Sequence, residues 1–255
     1  MVRWIVAIAV LASAPPAQAD PAESKPRASN TDQRASKPTK KTTSTRRKSN
    51  VFSRHIETKR VYDGMPPGFS WPLTRAMGDA SRDCEARLDV LGVTWKRATR
   101  AGHIADPIVI TDMMLGGIKY TNVFGAKASS TMDCQLALAL VAVGPELYQL
   151  GVREAKFGGI YNWSYVRSFN GNVLSRHAIG VAMDINSFVD DTGRDVQVVK
   201  SYKQGEALLL AIEKLFVDGN LFHNVITPRN DPISHDNHFH VEAIVDFRAP
   251  AKPAF

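Results

Sequence analysis

The distribution of apolar residues divides the chain into three parts. Residues 1–19 carry one apolar run of about ten residues, IVAIAVLASA, whereas residues 20–50 contain no Val, Ile, Leu, Met, Phe, Trp or Tyr. From residue 51 onwards, apolar residues recur at the spacings of helices and strands. A segment without apolar side chains cannot bury enough surface to offset its ordering entropy. We therefore predict a disordered linker over 20–50 and a folded domain over 51–255, with its core at about 80–246.

Within this domain, three stretches have the apolar spacing of helices. They are 79–91, the strongly apolar 131–150, which Gly144-Pro145 should interrupt or kink, and 202–216, with Leu208, Leu209, Ile212 and Phe216 on one side. Shorter alternating stretches predict strands at 107–115, 152–157, 161–168, 181–189, 194–199, 222–226 and 239–245. Turns are expected at Gly116-Gly117 and at Asp191-Thr192-Gly193. These elements predict an α+β fold, a small antiparallel sheet with flanking helices.

The N-terminal apolar run has the features of a secretory signal peptide. Arg3 precedes it, and Ala17-Gln18-Ala19 after it is the small-x-small pattern of a cleavage site. The run is too short to cross a bilayer as a stable helix. We predict a signal peptide over 1–19 and a secreted or periplasmic protein; a short N-terminal membrane anchor is the alternative.

The positive charge of the chain is concentrated in the predicted linker. The whole chain carries a net charge of +7, and residues 20–50 contain nine basic and three acidic residues. Residues 51–255 contain 22 of each and are neutral. We predict that the linker is attracted to an anionic wall polymer or a membrane surface, or serves only as a solvated spacer. We expect a monomer that binds no nucleic acid.

Two cysteines, Cys84 and Cys134, are an even number in a chain predicted to be exported. This favours a single disulfide, with two buried thiols as the alternative. Two cysteines alone cannot form a thiolate zinc site.

Candidate chemistry lies in two motifs. In LSRHAIGVAMDINSF, His177 and Asp184 are separated by Gly180, which allows a tight bend or a close backbone approach. Period-2 alternation places Asp184 on the face opposite the apolar residues beside it, where a buried carboxylate needs a cation or a hydrogen-bond donor. In HDNHFHVEA, the same alternation places His238 and His240 on one face. His177, Asp184 and one of these two histidines would form a zinc site with an open fourth position, and the other would act as general base or stabilise an oxyanion.

These motifs carry a resemblance to a known family. SRHAIGVAMD fits the pattern S-x-H-x-x-G-x-A-x-D and, followed by H-x-H, resembles the LAS metallopeptidases, which include D-alanyl-D-alanine carboxypeptidases, D-Ala-D-Ala dipeptidases and murein endopeptidases. Within that group, residues 83–242 are most similar to the bacterial extensin-like C-terminal domain, through DCQLALALV, YVR, LSRHAIGVAMDINSF and HDNHFHVE. The resemblance implies a LAS fold, that is, a fold like those of hedgehog and the D-Ala-D-Ala peptidases.

The resemblance also implies roles for particular residues. It implies His177, Asp184 and His240 as zinc ligands and His238 as the catalytic base or acid. It suggests that Arg167, in the Y-x-R segment, holds a substrate carboxylate or an oxyanion. Two positions depart from the family pattern: Arg176 replaces an expected acidic residue and puts the surroundings of the ligands in doubt, and Val166 replaces an expected Cys, which implies one disulfide fewer.

Four further residues are candidates for contacts around the ligands or the substrate. Ser175 could hydrogen-bond substrate or hold a ligand loop, and His235 is either an outer contact or a surface residue. Asp236 and Glu242 could orient His238 or His240 from outside. No role is assigned to His55, His103 or His223.

These expectations converge on an exported zinc peptidase of murein endopeptidase or carboxypeptidase type. Its substrate would be an amide bond in the stem peptides or cross-links of peptidoglycan. The alternative is a non-catalytic, zinc-containing module that binds the cell wall or has a structural role. A serine hydrolase that uses Ser175 is disfavoured, because the chain lacks a G-x-S-x-G nucleophile elbow at this serine.

Overall fold

The computed structural model describes residues 64–99, 101–125, 128–168 and 171–248, without the side chains of 167–168 and 171–172. The predicted signal peptide (1–19) and basic linker (20–50) lie outside these ranges. Among the helices of the described ranges, none is long and apolar enough to cross a membrane.

Four α-helices occur in the described ranges: α1 (Arg75–Val90), α2 (Cys134–Gln149), α3 (Val198–Ser201) and α4 (Ala207–Asp218). The prediction for α1 began four residues too late, because the Thr74 hydroxyl accepts from Met77 N and caps the helix earlier. Helix α2 is capped by Asp133, and it runs through Pro145 without interruption. The prediction of one helix over 202–216 is wrong at its start. Gly205, at φ 77°, separates the 3-10 turn Tyr202–Gln204 from α4.

The described strands are, in chain order, β1 (Trp95–Arg97), β2 (Pro107–Ile110), β3 (Met114–Leu115), β4 (Ile118–Asn122), β5 (Met132–Asp133), β6 (Val152–Gly159), β7 (Tyr165–Ser168), β8 (Gly171–Leu174), β9 (Ala182–Asp190), β10 (Asp195–Gln197), β11 (Phe222–Ile226) and β12 (Phe239–Ala243). The largest sheet has seven strands in the order β11-β12-β9-β6-β4-β3, with β10 beside β9. Strands β1, β2 and β5 form a second sheet, and β7 pairs with β8.

The predicted α+β class is confirmed, but the small antiparallel sheet needs correction. Strand β4 pairs with β6 in parallel, so the main sheet is mixed. The strand predicted over 107–115 is two strands in different sheets, because the chain turns at Met113, which has φ 54°. The strand predicted over 194–199 ends at Gln197, where α3 begins.

The predicted disulfide is confirmed, since Cys84 on α1 is bonded to Cys134 at the start of α2. Both cysteines are fully buried in the hydrophobic core of the described residues. At this end of α2, Asp133 accepts hydrogen bonds from Gln135 N (3.0 Å) and Asp106 N (3.1 Å). The disulfide therefore joins α1 to α2 at the point where α2 is capped.

Three buried carboxyl groups, Glu85, Asp106 and Asp133, lie near the disulfide. Burial, and then the charges of Asp133 and Glu85, raise the pKa of Asp106 to about 8. Burial raises the pKa of Asp133 to about 6, although backbone donors favour its charged form. Asp106 and Glu85 also share a side-chain hydrogen bond, which requires a proton on one of the two carboxyl groups.

We expect the stability of the domain to rise as pH falls through the range set by Asp106. In the folded state the pKa of Asp106 is raised to about 8, whereas the pKa of an Asp in the unfolded chain is about 4. Lowering the pH from about 8.5 to about 5.5 should therefore raise the free energy of unfolding by at least about 1 kcal/mol more in the wild type than in Asp106→Asn. Urea unfolding of both proteins at the two pH values measures this difference. An equal pH response in the variant would show that Asp106 is not the group responsible.

We also expect Gly144 to be required where α2 crosses the β3–β4 turn. A Cβ at Gly144 would lie 2.3 Å from Gly116 O, so Gly144→Ala should lower the free energy of unfolding by about 1–3 kcal/mol through overpacking. Gly78→Ala on α1 is the matched control, because the nearest contact of the added Cβ would be Arg82 Nη1 at 3.7 Å. The control should gain up to about 1 kcal/mol from helix propensity. Thermal or urea unfolding of the two variants should thus give effects of opposite sign.

Candidate metal centre

Strand pairing in the main sheet places two of the candidate ligands directly opposite each other. Strands β9 and β12 are antiparallel, and their register pairs Asp184 with His240. Phe239 and Val241, which flank His240, are fully buried. The predicted alternation therefore describes the observed faces around Asp184 and His240, whereas His238 precedes β12.

The third candidate ligand comes from the 3-10 turn Arg176–Ile179 that precedes β9. The Ser175 hydroxyl accepts from His177 N at 3.2 Å and caps this turn. Gly180 ends it at φ 71°, and a Cβ there would lie 2.7 Å from Ile104 Cδ1. The tight bend predicted at Gly180 is confirmed, and it carries His177 back over the start of β9.

His177, Asp184 and His240 form a group that could hold a metal ion, and it is the one such group of His, Cys, Asp or Glu within the described ranges. Asp184 Oδ1 lies 3.2 Å from His177 Nε2 and 2.9 Å from His240 Nδ1. The two imidazole nitrogens lie 3.1 Å from each other. Three donor atoms from separate parts of the chain thus converge on one point.

Hydrogen bonds on the outer side of each ring determine which nitrogen faces this point. His177 Nδ1–H donates to Ile160 O (2.8 Å), and His240 Nε2–H donates to Glu242 Oε1 (3.1 Å). These bonds leave His177 Nε2 and His240 Nδ1 to face each other. Two lone pairs at this separation repel unless a proton or a metal ion lies between them. The donor set therefore fits a metal ion, and the outer carbonyl and carboxylate are typical supports of ligating histidines.

The pKa values of Asp184 and His240 also indicate that the centre favours a bound proton or metal ion. Burial lowers the pKa of His240, but hydrogen bonds with Asp184 and Glu242 outweigh it and raise the pKa to about 9. Burial opposes ionisation of Asp184, but its bonds with His177 and His240 hold its pKa well below its usual range. Without a metal, a proton on His240 satisfies the carboxylate; a bound metal ion would replace that proton.

His238 lies beside this group without belonging to it. Its Nδ1–H donates to Asn237 Oδ1 at 2.6 Å, and its Nε2 lies 3.5 Å from Asp184 Oδ1. Burial lowers the pKa of His238 and outweighs the attraction of Asp184. A neutral imidazole with an unprotonated Nε2 therefore faces the centre.

Arg176, the residue that departs from the family pattern, supports the ligand His240 through Glu242. Its Nε lies 3.6 Å from Glu242 Oε2, and both side chains are nearly buried. Burial lowers the pKa of Arg176, and Arg176 Nη1 has no hydrogen-bond partner among the described atoms. An arginine here pairs with the carboxylate that orients His240.

The structure places the remaining candidates as follows. Ser175 holds the ligand turn, and His235 Nδ1 bonds to Asp231 Oδ2 at 2.8 Å, with its ring 4.8 Å from that of His238. Glu242, rather than Asp236, contacts a histidine of the centre in the described contacts. Arg167 lies on β7, and its side chain is outside the described part of the structure. The supporting roles of Ile160, Asn237 and Arg176 were not predicted, because their contacts arise only from folding.

Two cavities meet at the candidate metal centre. The first cavity, of about 780 Å³, is lined among others by Arg176, His223, Ile226, His235, His240 and Glu242. The second cavity, of about 500 Å³, is lined among others by Phe124, Tyr161, Asn162, Asn186, Asn237 and His238. His177, Asp184 and Ser234 line both. The centre is thus accessible from two cavities.

Comparison with known families gives one match. The family model described as "Extensin-like protein C-terminus" matches residues 82–249. This range includes both cysteines of the disulfide and every residue of the candidate centre. Neither the curated proteins nor the solved structures give a match.

We expect the untagged chain to bind one metal ion through the three convergent side chains, and Zn²⁺ is the probe used to test this. His177→Ala, Asp184→Ala and His240→Ala should each weaken binding by about a hundredfold or more, because each removes one of three ligands. Glu242→Gln should weaken it by about tenfold, because His240 loses its charged hydrogen-bond acceptor. Titration calorimetry or chelator competition measures these affinities.

The matched control for this series is His223→Ala, which removes an exposed histidine that is not one of the three donors. It should bind Zn²⁺ like the wild type. Equal affinities for His240→Ala and His223→Ala would contradict the proposed ligand set.

Proposed function

This chain belongs to the extensin-like protein C-terminus family, and on that premise we propose that it is an exported zinc peptidase that hydrolyses amide bonds in peptidoglycan. The substrate is a stem peptide or a cross-link. Three lines of reasoning support the proposal: the convergent donor group, the resemblance of its two motifs to the LAS metallopeptidases, and the predicted signal peptide. A LAS-type fold is part of the same proposal.

Zinc is the metal that this donor set favours. Two imidazole nitrogens and one carboxylate oxygen are common zinc ligands, and three protein ligands are typical of catalytic sites, in which a fourth position is open. When bound, zinc supplies Lewis-acid chemistry: it polarises a carbonyl and lowers the pKa of a water molecule. Asp184 and His240 are held for this purpose by strand pairing, and His177 by a capped turn.

The proton transfers of the reaction are assigned to His238. Its Nε2 is neutral, faces the centre and lies 3.5 Å from Asp184 Oδ1. It takes a proton from the attacking water and gives it to the leaving amine, as a general base and then a general acid. The hydrogen bond from Nδ1–H to Asn237 fixes the ring in the tautomer that this role requires.

Arg167 is proposed to stabilise negative charge on the substrate. Its neighbour on β7, Val166, lines the first cavity, so the backbone of this strand borders that cavity. A guanidinium from this strand is suited to a carboxylate or to a tetrahedral oxyanion.

The observation that carries the proposal is the additional imidazole nitrogen. A zinc scaffold needs only its ligands and has no use for a neutral histidine that lies beside them and faces a cavity. His238 is such a histidine. This favours turnover over the alternative, a non-catalytic module that binds the wall.

We expect the metal-loaded chain to release peptides from purified sacculi, and a chelator to abolish the release. His238→Ala should still bind Zn²⁺ but release peptides at least about a hundredfold more slowly, because general acid–base catalysis contributes that much. Mass spectrometry of the released products and a zinc-binding measurement on the same samples test both statements. Zinc-loaded wild-type protein that binds sacculi and releases nothing would support the non-catalytic module instead.

A further inference from the structure

The two cavities differ in which side of the candidate centre they border. His240, Glu242 and Arg176 line only the first cavity, whereas His238 and Asn237 line only the second. His177, Asp184 and Ser234 lie at the junction. A substrate that reaches Asp184 thus has room to extend into both cavities.

Both cavities are large enough to hold several atoms of a peptide beyond the reacting bond. Their volumes, about 780 and about 500 Å³, lie within the usual range of ligand pockets. Neither cavity is merely a gap that admits a water molecule. Residues on both sides of a scissile bond can therefore be accommodated.

The charges that line the cavities argue against recognition of a chain end. An enzyme that removes C-terminal residues must hold a carboxylate close to the bond it cleaves, usually with an arginine or a lysine. Among the described side chains, the second cavity is lined by no Lys or Arg, and the first only by Arg176, which already pairs with Glu242. Arg167, on the strand beside the first cavity, is assigned here to the tetrahedral oxyanion rather than to a substrate carboxylate. The side chains of Tyr161, Asn162 and Asn237 in the second cavity suit the neutral amides of a continuing peptide.

From these observations we infer that the centre cleaves internal amide bonds, with peptide bound in both cavities at once. This inference rests on the proposed function and selects endopeptidase over carboxypeptidase action. A cross-linked peptide, which continues on both sides of its cross-link, is the class of substrate that this arrangement accepts.

Two synthetic peptides with the same scissile linkage test the inference. In the short peptide, the residue after the bond carries a free carboxylate; in the long peptide, further residues follow and the terminus is amidated. The metal-loaded full chain should cleave the long peptide with a kcat/KM at least about tenfold higher, because only that peptide uses the binding energy of both cavities.

Obstruction of each cavity provides a second readout. Asn162→Trp fills part of the second cavity and His223→Trp part of the first, and both positions are exposed. Each variant should lower kcat/KM on the long peptide by about tenfold or more, whereas only one of them should slow the short peptide. Val217→Trp, on the exposed side of α4, is the matched control and should leave both rates unchanged.

The outcomes separate this inference from the function on which it rests. Zinc binding and thermal unfolding like those of the wild type establish that each variant is folded. Cleavage of the short peptide at an equal or higher rate, or a long-peptide rate that neither tryptophan lowers, overturns internal cleavage but leaves the peptidase intact. Cleavage of neither peptide by the zinc-loaded wild type overturns the proposed function and this inference together.

Discussion

Two imidazole nitrogens and a carboxylate oxygen meet at a point where a proton or a metal ion is needed to make their proximity favourable. The nitrogens of His177 and His240 lie 3.1 Å apart, and each ring is fixed by a bond on its far side. Rotation of either ring would break that outer bond and leave a polar group unpaired in a largely buried setting. The sheet, the turn at Gly180 and the ion pair of Arg176 with Glu242 all act to maintain this arrangement.

The position of the centre on the main sheet explains how such a costly arrangement is held. Strand β9 pairs with β6 on one edge and with β12 and β10 on the other, so Asp184 lies on a strand that is bonded on both sides. The residues that flank Asp184 and His240 along their strands are buried in the core. A shift of either strand by one residue would move a charged group into that core, so the same packing that stabilises the fold also determines the register of the ligands.

The centre was more predictable than the fold because its geometry depends on local alternation. A period of two is enough to bring His240 to one face and Phe239 to the other, and Gly180 indicated the bend that returns His177. Strand partners depend instead on distant pairings that the alternation does not encode. The stretch PIVITDMML is apolar almost throughout, yet Asp112 and Met113 turn the chain and send its halves into different sheets. The parallel pairing of β4 with β6 likewise depends on α2, which lies between them in the chain and connects them.

Arg176 illustrates how a departure from a family pattern can be compensated through space. In the sequence it stands where an acidic residue is expected, and it leaves the surroundings of the ligands in doubt. In the fold it meets Glu242, two residues after His240, and this carboxylate accepts the outer hydrogen of that ring. Without Arg176, this nearly buried carboxylate would keep its hydrogen bond with His240 but lose its arginine partner, and its attraction for the His240 proton would be unopposed. The positive charge of Arg176 balances that attraction. The pair of Arg176 and Glu242 therefore gives His240 a hydrogen-bond acceptor and adds no net charge to the first cavity.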